Sequence, residues 1–384
     1  MKYLKLSFYK KFVLPVSLLA STIIGAGVFS LPYFVSLAGF ITGVFYIATS
    51  VLIFYFLHTM YADIILRNRE KFKFAGYAEK YFGKIGFWLS IGAAIVGGVM
   101  TLMVYLILAE SFLKIIFPEG EEKIFILLFW VLGSAAIFLS IKKMARFEFA
   151  ITTVMAILFF FIFSMGFTNE VKKIIEIPSV NWALFFLPFG PFLFSFSGRA
   201  AVPALIEYYK ENKISFVGFK KVIFWGTVVP AVAYLAFIIG ALKMGGGLME
   251  NPLAWITTLP YFVSALISLT GLLSILSSYF VIGLSIKEIM EMDLNIKTRV
   301  ADIAVIFLPV FLICLGFNNF FRIVSIAGGV FLALEGAIIS AVWIKMEKKG
   351  MVPYLFARRG VNLAAAIFLF VIFVLGIVYS AIYY

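Results

Sequence analysis

Eleven runs of largely apolar residues follow one another along this 384-residue chain. Most approach the ~20 residues that a helix needs to cross the hydrocarbon core of a bilayer. They lie near 12–37, 39–66, 85–117, 122–140, 147–167, 182–206, 220–242, 255–288, 302–316, 321–345 and 361–382, and the ninth is the shortest. The runs are apolar on every face and lack the alternation of a barrel strand, so only helices satisfy their backbones without water. With 64% hydrophobic and 13% charged residues, a soluble domain would leave too much apolar surface in water. The expected architecture is an all-α polytopic membrane protein, one transmembrane domain over 1–384 with about eleven spans. Ten runs follow the first, which is therefore read as a retained span and not a cleaved signal. The single cysteine, Cys314, excludes a disulfide framework or a multi-cysteine metal site.

The net charge of +13 is a matter of position. With the N-terminus inside, 25 Lys and Arg fall in the cytoplasmic segments, six on the opposite side, and Arg199 within the membrane. The bias alternates loop by loop, as the positive-inside rule requires, and this removes nucleic acid as a partner. The expected orientation is N-terminus cytoplasmic and C-terminus outside, in the plasma (cell inner) membrane.

Two runs differ from the rest. The first holds STIIGAGVFSLP (Ser21 to Pro32), and the sixth holds LPFGPFLFSFSGRAAVP (Leu187 to Pro203). Glycine and proline weaken a helical ladder, so both helices are expected to be discontinuous at mid-membrane. Unpaired backbone groups survive there only beside protein or a polar cavity. The breaks stand five helices apart, an odd number, so the second block would enter from the opposite face. That is the pattern of a 5+5 inverted repeat, with 12–167 and 182–345 as the repeats and 361–382 an added helix.

IIGAGVFSLPY resembles the first-helix signature of the amino acid/auxin permease and aromatic amino acid permease families, within the amino acid–polyamine–organocation superfamily. FSFSGRAAVPAL is similar to their sixth-helix motif, and VYLILAE (Val104 to Glu110) and SSYFVIGLSIKEI (Ser277 to Ile289) resemble that group as well. Arg199 departs from it, since most relatives carry a neutral residue or histidine there. The resemblance implies a secondary amino acid transporter working by alternating access. It also maps Ser274, Ser277 and Ser278, with the carbonyls of Ser21 and Ile24, onto the sodium site of sodium-coupled members. The three serines are spaced i, i+3, i+4 and share one helix face; the bland alternative is that each bonds back to its own helix. Some relatives place a fifth-helix lysine where sodium would sit, and Ile151 to Phe167 contains none, which favours sodium over a proton. No other cofactor is implied.

A broken helix supplies what a zwitterion needs: free N–H groups for the carboxylate and free carbonyls for the ammonium. The N–H groups of Gly25, Ala26 and Gly27 are the expected carboxylate donors. Carbonyls of Thr22 or Ile23, with those of Phe194 and Ser195, are the expected ammonium acceptors. Ser197 and Gly198 complete the second break, Phe194 and Phe196 are expected to face the substrate side chain, and Tyr105 to close over the carboxylate. Aromatic walls without a buried charge partner favour a neutral or aromatic substrate. The ionisable groups read as intramembrane are His58, Glu110, Arg199 and Glu335, each expected to be paired, solvated or gating. For Arg199, an ion pair with Glu335 or Glu110 and a contact with substrate both stand open. One histidine and no carboxylate cluster leave little acid–base chemistry, so an enzyme is not expected. The competing reading is an amino acid sensor of the same fold, which large soluble appendages would favour and short loops do not.

Overall fold

In an apolar solvent the backbone must bond to itself, and helices are the regular elements of the computed structural model among its described residues, 8–68, 72–136, 153–165, 177–244, 253–351, 355–356 and 359–384. The first helix comes in two pieces, α1a (Tyr9–Ile23) and α1b (Ala26–Ala38), bent by 46°. There follow α2 (Phe40–Arg67), α3 (Phe74–Ile116), α4 (Glu122–Ala136) and α5 (Thr153–Met165). The sixth helix is again divided, into α6a (Phe189–Phe196) and α6b (Ala201–Glu211). The rest are α7 (Phe219–Lys243), α8 (Tyr261–Met292), α9 (Thr298–Cys314), α10 (Phe320–Lys348) and α11 (Arg359–Tyr383). Among the described residues seven helices are long and apolar enough to cross a membrane, and eight if the bent pair is one span. Helix occupies each expected run; α9 and the described parts of α4 and α5 are shorter than that length. Parts of the fourth and fifth runs, and Lys142, Lys143, Arg146, Lys172 and Lys173 beside them, lie outside the described residues.

Two boundaries differ from expectation, and one is met with an addition. α3 is broken at Gly83 (φ 63°, ψ −155°), so its membrane part starts close to the expected 85. A short helix from Phe74 precedes it, where Asp293 at the end of α8 accepts the N–H groups of Lys73 (3.3 Å) and Ala75 (2.9 Å). The run from 255 divides into a short turn, Ala254–Thr258, and α8 proper, with Pro260 at the cap. The sixth helix starts only after Pro188.

The prolines do not make the breaks. Pro32, Pro191 and Pro203 each stand within the first three residues of an α-helical segment (Leu31–Ala38, Phe189–Phe196 and Ala201–Glu211). A first-turn N–H has no intrahelical partner, so its loss there costs little. Pro191 and Pro203 therefore stand in the first turns of α6a and α6b, and Pro32 stands where the 3₁₀ turn Ala26–Ser30 passes into the α-helical part of α1b. Ile24–Gly25 and Ser197–Ala200 are the interruptions.

Helices α1, α2, α6 and α7 pack on one another, and α3 packs along α8 with α4 and α9 behind it. α10 lies against both groups, and α11 runs beside α10. Where α10 meets α6a the backbones touch: a Cβ on Gly190 would come 2.5 Å from the Ser325 carbonyl oxygen, and one on Gly328 would overlap the carbonyl of Gly190. α3 and α10 each include a π-helical turn, Gly92–Val96 and Ala327–Leu332, and these two turns face each other.

Candidate functional site

The two breaks meet at the centre of the molecule. Ile24 (φ −73°, ψ 83°) leaves the helix, and Gly25 (φ −125°, ψ −153°) is extended. In α6 the chain leaves at Ser197 (φ −67°, ψ 118°). A Cβ on Gly27 would stand 2.6 Å from Ser195 Cα, so glycine is what lets the breaks touch.

Beside them is a cavity of about 40 Å³, room for about three waters. Thr22, Ile23, Gly25, Ala26 and Gly27 border it from α1, and Phe194, Ser197, Arg199 and Ala200 from α6. α3 adds Ala94, Gly98, Thr101 and Tyr105; α8 adds Ser285 and Ile286; α10 adds Leu332 and Glu335. A second cavity, about 50 Å³, shares Thr22, Ala200 and Ser285 with the first and continues between α1a, α6b and α8. It reaches the ion pair Lys73–Glu288 (2.6 Å) on the face of the molecule where the chain begins, called here the near face. Toward the far face the way is shut by Phe29, which packs edge-on to Phe112 (5.0 Å) and Phe237 (5.4 Å), with Trp255 against Phe237. These four rings are buried.

Most sequence-predicted residues border this cavity, and some are placed elsewhere. Phe196 is fully buried among Phe54, Phe192 and Tyr234, on the side away from the cavity. Residues two apart on a helix differ by about 200°, so Phe194 and Phe196 cannot share a face. Ser195 and Gly198 sit behind the lining. The hydroxyls of Ser21, Thr22 and Ser195 donate to backbone carbonyls of their own helices, those of Leu18, Leu18 and Pro191. The carbonyls of Ile23 and Ser195, expected to meet an ammonium, lie 2.6 and 2.9 Å from the Tyr234 hydroxyl of α7. Tyr105 brings its hydroxyl to 3.2 Å from where a Gly25 Cβ would be.

The ionisable groups separate into three places. Arg199 pairs with Glu335 (Nε to Oε2, 2.6 Å), donates to Tyr61 and lies over the Phe74 ring at 4.8 Å. Glu110 is not its partner; it borders a wide cavity of about 630 Å³ on the far face, with Lys114 and Glu122. His58 accepts the Gly198 N–H at 3.2 Å. A fourth place is not among the groups the sequence singles out. Asp63 and Arg67 are i, i+4 on α2 and buried, and Arg67 (2.7 Å to each) joins Asp63 to Glu347 of α10. Asp63 also accepts from Trp343 Nε1 and the Leu355 N–H. Arg67 reads as a loop charge because it ends a hydrophobic run, yet the fold closes over it; the Asp–Arg spacing was the available signal.

For the sodium ligands, Ser274 Oγ donates to the Ile24 carbonyl (2.8 Å), joining α8 to the first break. Ser278 Oγ is buried beside Gly25, without a hydrogen-bond partner among the described residues. Ser277 is on the same buried face. Hydroxyl and carbonyl oxygens are the ligand type a hard cation takes, and here the Ile24 carbonyl is engaged by Ser274 while Ser278 Oγ is free to turn its lone pairs toward the break.

The tryptophan/tyrosine permease family model matches residues 9–380. Among solved structures, MhsT in complex with L-phenylalanine superposes with TM-score 0.71 at 15% identity, over 96% of this chain and 98% of that one. A manganese transporter of Eremococcus coleocola superposes with TM-score 0.69 at 12% identity, over 97% and 86%. At such identities the likeness shows a shared fold. A search of curated proteins finds no match. The family match supports an aromatic permease and does not extend to the amino acid/auxin permeases named with it above. The molecule is a transporter and not an enzyme: the chain belongs to the tryptophan/tyrosine permease family.

Proposed function

We propose that this permease carries aromatic amino acids by alternating access, coupled to sodium. The observation that carries the reading is the pair of helix breaks bordering one cavity, in a chain of this family. The phenylalanine held by MhsT supports the same substrate class. The N–H groups of Ala26 and Gly27 take the carboxylate, joined by that of Gly25 once it leaves the Ile23 carbonyl to which it donates in this state (2.8 Å). Tyr234 already engages Ile23 and Ser195, so the carbonyls of Thr22 and Phe194 take the ammonium. Ala94, Gly98 and Thr101 border the cavity with Phe194 where a ring would enter, and Ile286, which packs on Gly98, must move aside to admit it. The breaks occupy corresponding helices of a 5+5 inverted repeat in an eleven-span protein. The near face is cytoplasmic, so the described state is shut toward the outside by the Phe29 cluster and leads inward past Lys73–Glu288. Sodium sits between α1 and α8 on Ser277 and Ser278 with the carbonyls of Ser21 and Ile24, where it favours one access state and raises substrate affinity.

Uptake into proteoliposomes tests this, with tryptophan, tyrosine, phenylalanine and non-aromatic amino acids offered under separate sodium and proton gradients. Uptake of aromatic amino acids driven by sodium is expected, lost in Ser277→Ala/Ser278→Ala while saturable binding persists. Full uptake under a proton gradient without sodium overturns the sodium part. Binding without uptake makes the molecule a sensor, and no binding overturns the substrate class.

A further inference from the structure

Each helix break strands backbone groups that a continuous helix would pair. The Ile23 carbonyl would accept from the N–H of Gly27, and the Ser195 carbonyl from that of Arg199; in the break the Ile23 carbonyl instead accepts a tight-turn bond from the Gly25 N–H (2.8 Å) and has a second lone pair to offer. The Gly198 N–H would donate to the Phe194 carbonyl, which instead accepts from Ser197 (3.4 Å). Two side chains from unbroken helices take these groups. The Tyr234 hydroxyl of α7 lies within bonding distance of both stranded carbonyls, one from each break. His58 of α2 accepts the stranded Gly198 N–H through Nε2, which leaves the proton of a neutral imidazole on Nδ1. Both side chains are fully buried, and neither borders the cavity.

We propose that Tyr234 and His58 are positioning residues that hold the two breaks open and fixed to each other, so that the backbone groups facing the cavity stay available to substrate. A phenol has one hydrogen, so Tyr234 donates to the Ile23 or the Ser195 carbonyl in turn, and either bond keeps the halves from reclosing. Sharing one hydroxyl also ties α1 to α6. His58 holds the start of α6b against α2, one turn from where Tyr61 meets Arg199. Because α2 and α7 would be equivalents in the two-repeat architecture, each repeat would contribute one such clip. The affinity part of this inference rests on the amino acid reading above; the backbone part does not.

The test uses Tyr234→Phe, which removes one hydroxyl, His58→Phe, which removes the acceptor, and His58→Gln, which restores one. Amide hydrogen exchange is followed over 20–27 and 194–201 in detergent-purified protein, together with the Kd for tryptophan, tyrosine and phenylalanine. Tyr234→Phe is expected to speed exchange in both segments, and His58→Phe in 194–201 alone. Both should weaken binding about tenfold, with His58→Gln close to the unmodified protein. Unchanged exchange in the two Phe variants overturns the proposal. So does faster exchange with unchanged Kd, because the clips would then be structural only. If the unmodified protein binds none of the three amino acids, the substrate reading fails and exchange alone judges the clips.

Discussion

At the scale of single residues, the two glycines of the first break have different work. A methyl on Gly25 would meet the ends of two side chains, Tyr105 Oη at 3.2 Å and Ser278 Oγ at 3.3 Å, and both can shift. A methyl on Gly27 would meet the α6 backbone at Ser195 Cα. Gly25→Ala is therefore expected to fold normally and to weaken amino acid binding. Gly27→Ala should lower stability by about 1–3 kcal/mol, the usual cost of overpacking. Thermal unfolding and ligand binding, measured on the same samples, separate the two; equal loss of stability in both would remove the distinction. Arg199 yields a second expectation. Removing one partner of a buried ion pair leaves the other charge uncompensated, so Arg199→Ala should cost about 3–5 kcal/mol. Arg199→Ala combined with Glu335→Gln should recover part of it. If melting holds while substrate selectivity shifts, the guanidinium serves the substrate and not Glu335.

Among elements, one tight contact is made by backbone alone. α6a and α10 meet at Gly190, Gly328 and Gly329, and Ser380 of α11 packs on Gly329. Phe373 of α11 lies where a Gly336 side chain would be. The far-face halves of α6, α10 and α11 thus form one tightly seated unit. Gly328→Ala should unseat it, because the methyl would overlap a backbone carbonyl that cannot rotate away. Accessibility of a cysteine placed at Phe29, compared with and without Gly328→Ala, reports whether the far side opens. No change in labelling rate would show that the contact does not govern closure. At the near face the Asp63–Arg67–Glu347 cluster joins α2 to α10, and Asp293 joins α8 to the start of α3. Polar groups thus cluster at this end, where apolar packing gives way to the basic segments.

For the whole molecule, the lysines and arginines predict an odd number of spans with the N-terminus inside. A reporter fused after Tyr384 should then sit outside the cell. A cytoplasmic reporter there would mean that one short helix, α4, α5 or α9, does not cross. The buried cluster around Phe29 closes this conformation at the far face, while the second cavity reaches Lys73–Glu288 at the near face.

The sequence by itself determined that the chain is helical and built for a bilayer, because long runs without polar faces have no other way to satisfy their backbones. It also placed the breaks, since Gly25, Gly27 and Gly198 stand where a span should be continuous. The pairing of Arg199 with Glu335 was legible only as one of two options, because partners 136 positions apart are not ordered by local periodicity. Only the tertiary structure decided what the break groups do. Tyr234 is one aromatic residue among many in an apolar run, and nothing local says that its hydroxyl reaches two carbonyls on other helices. The same holds for the buried Asp63, and for Phe196, which helical phase turns away from the site while its neighbour Phe194 faces in. Local sequence governs where backbone bonds are lost; packing of distant helices governs which side chain makes up the loss.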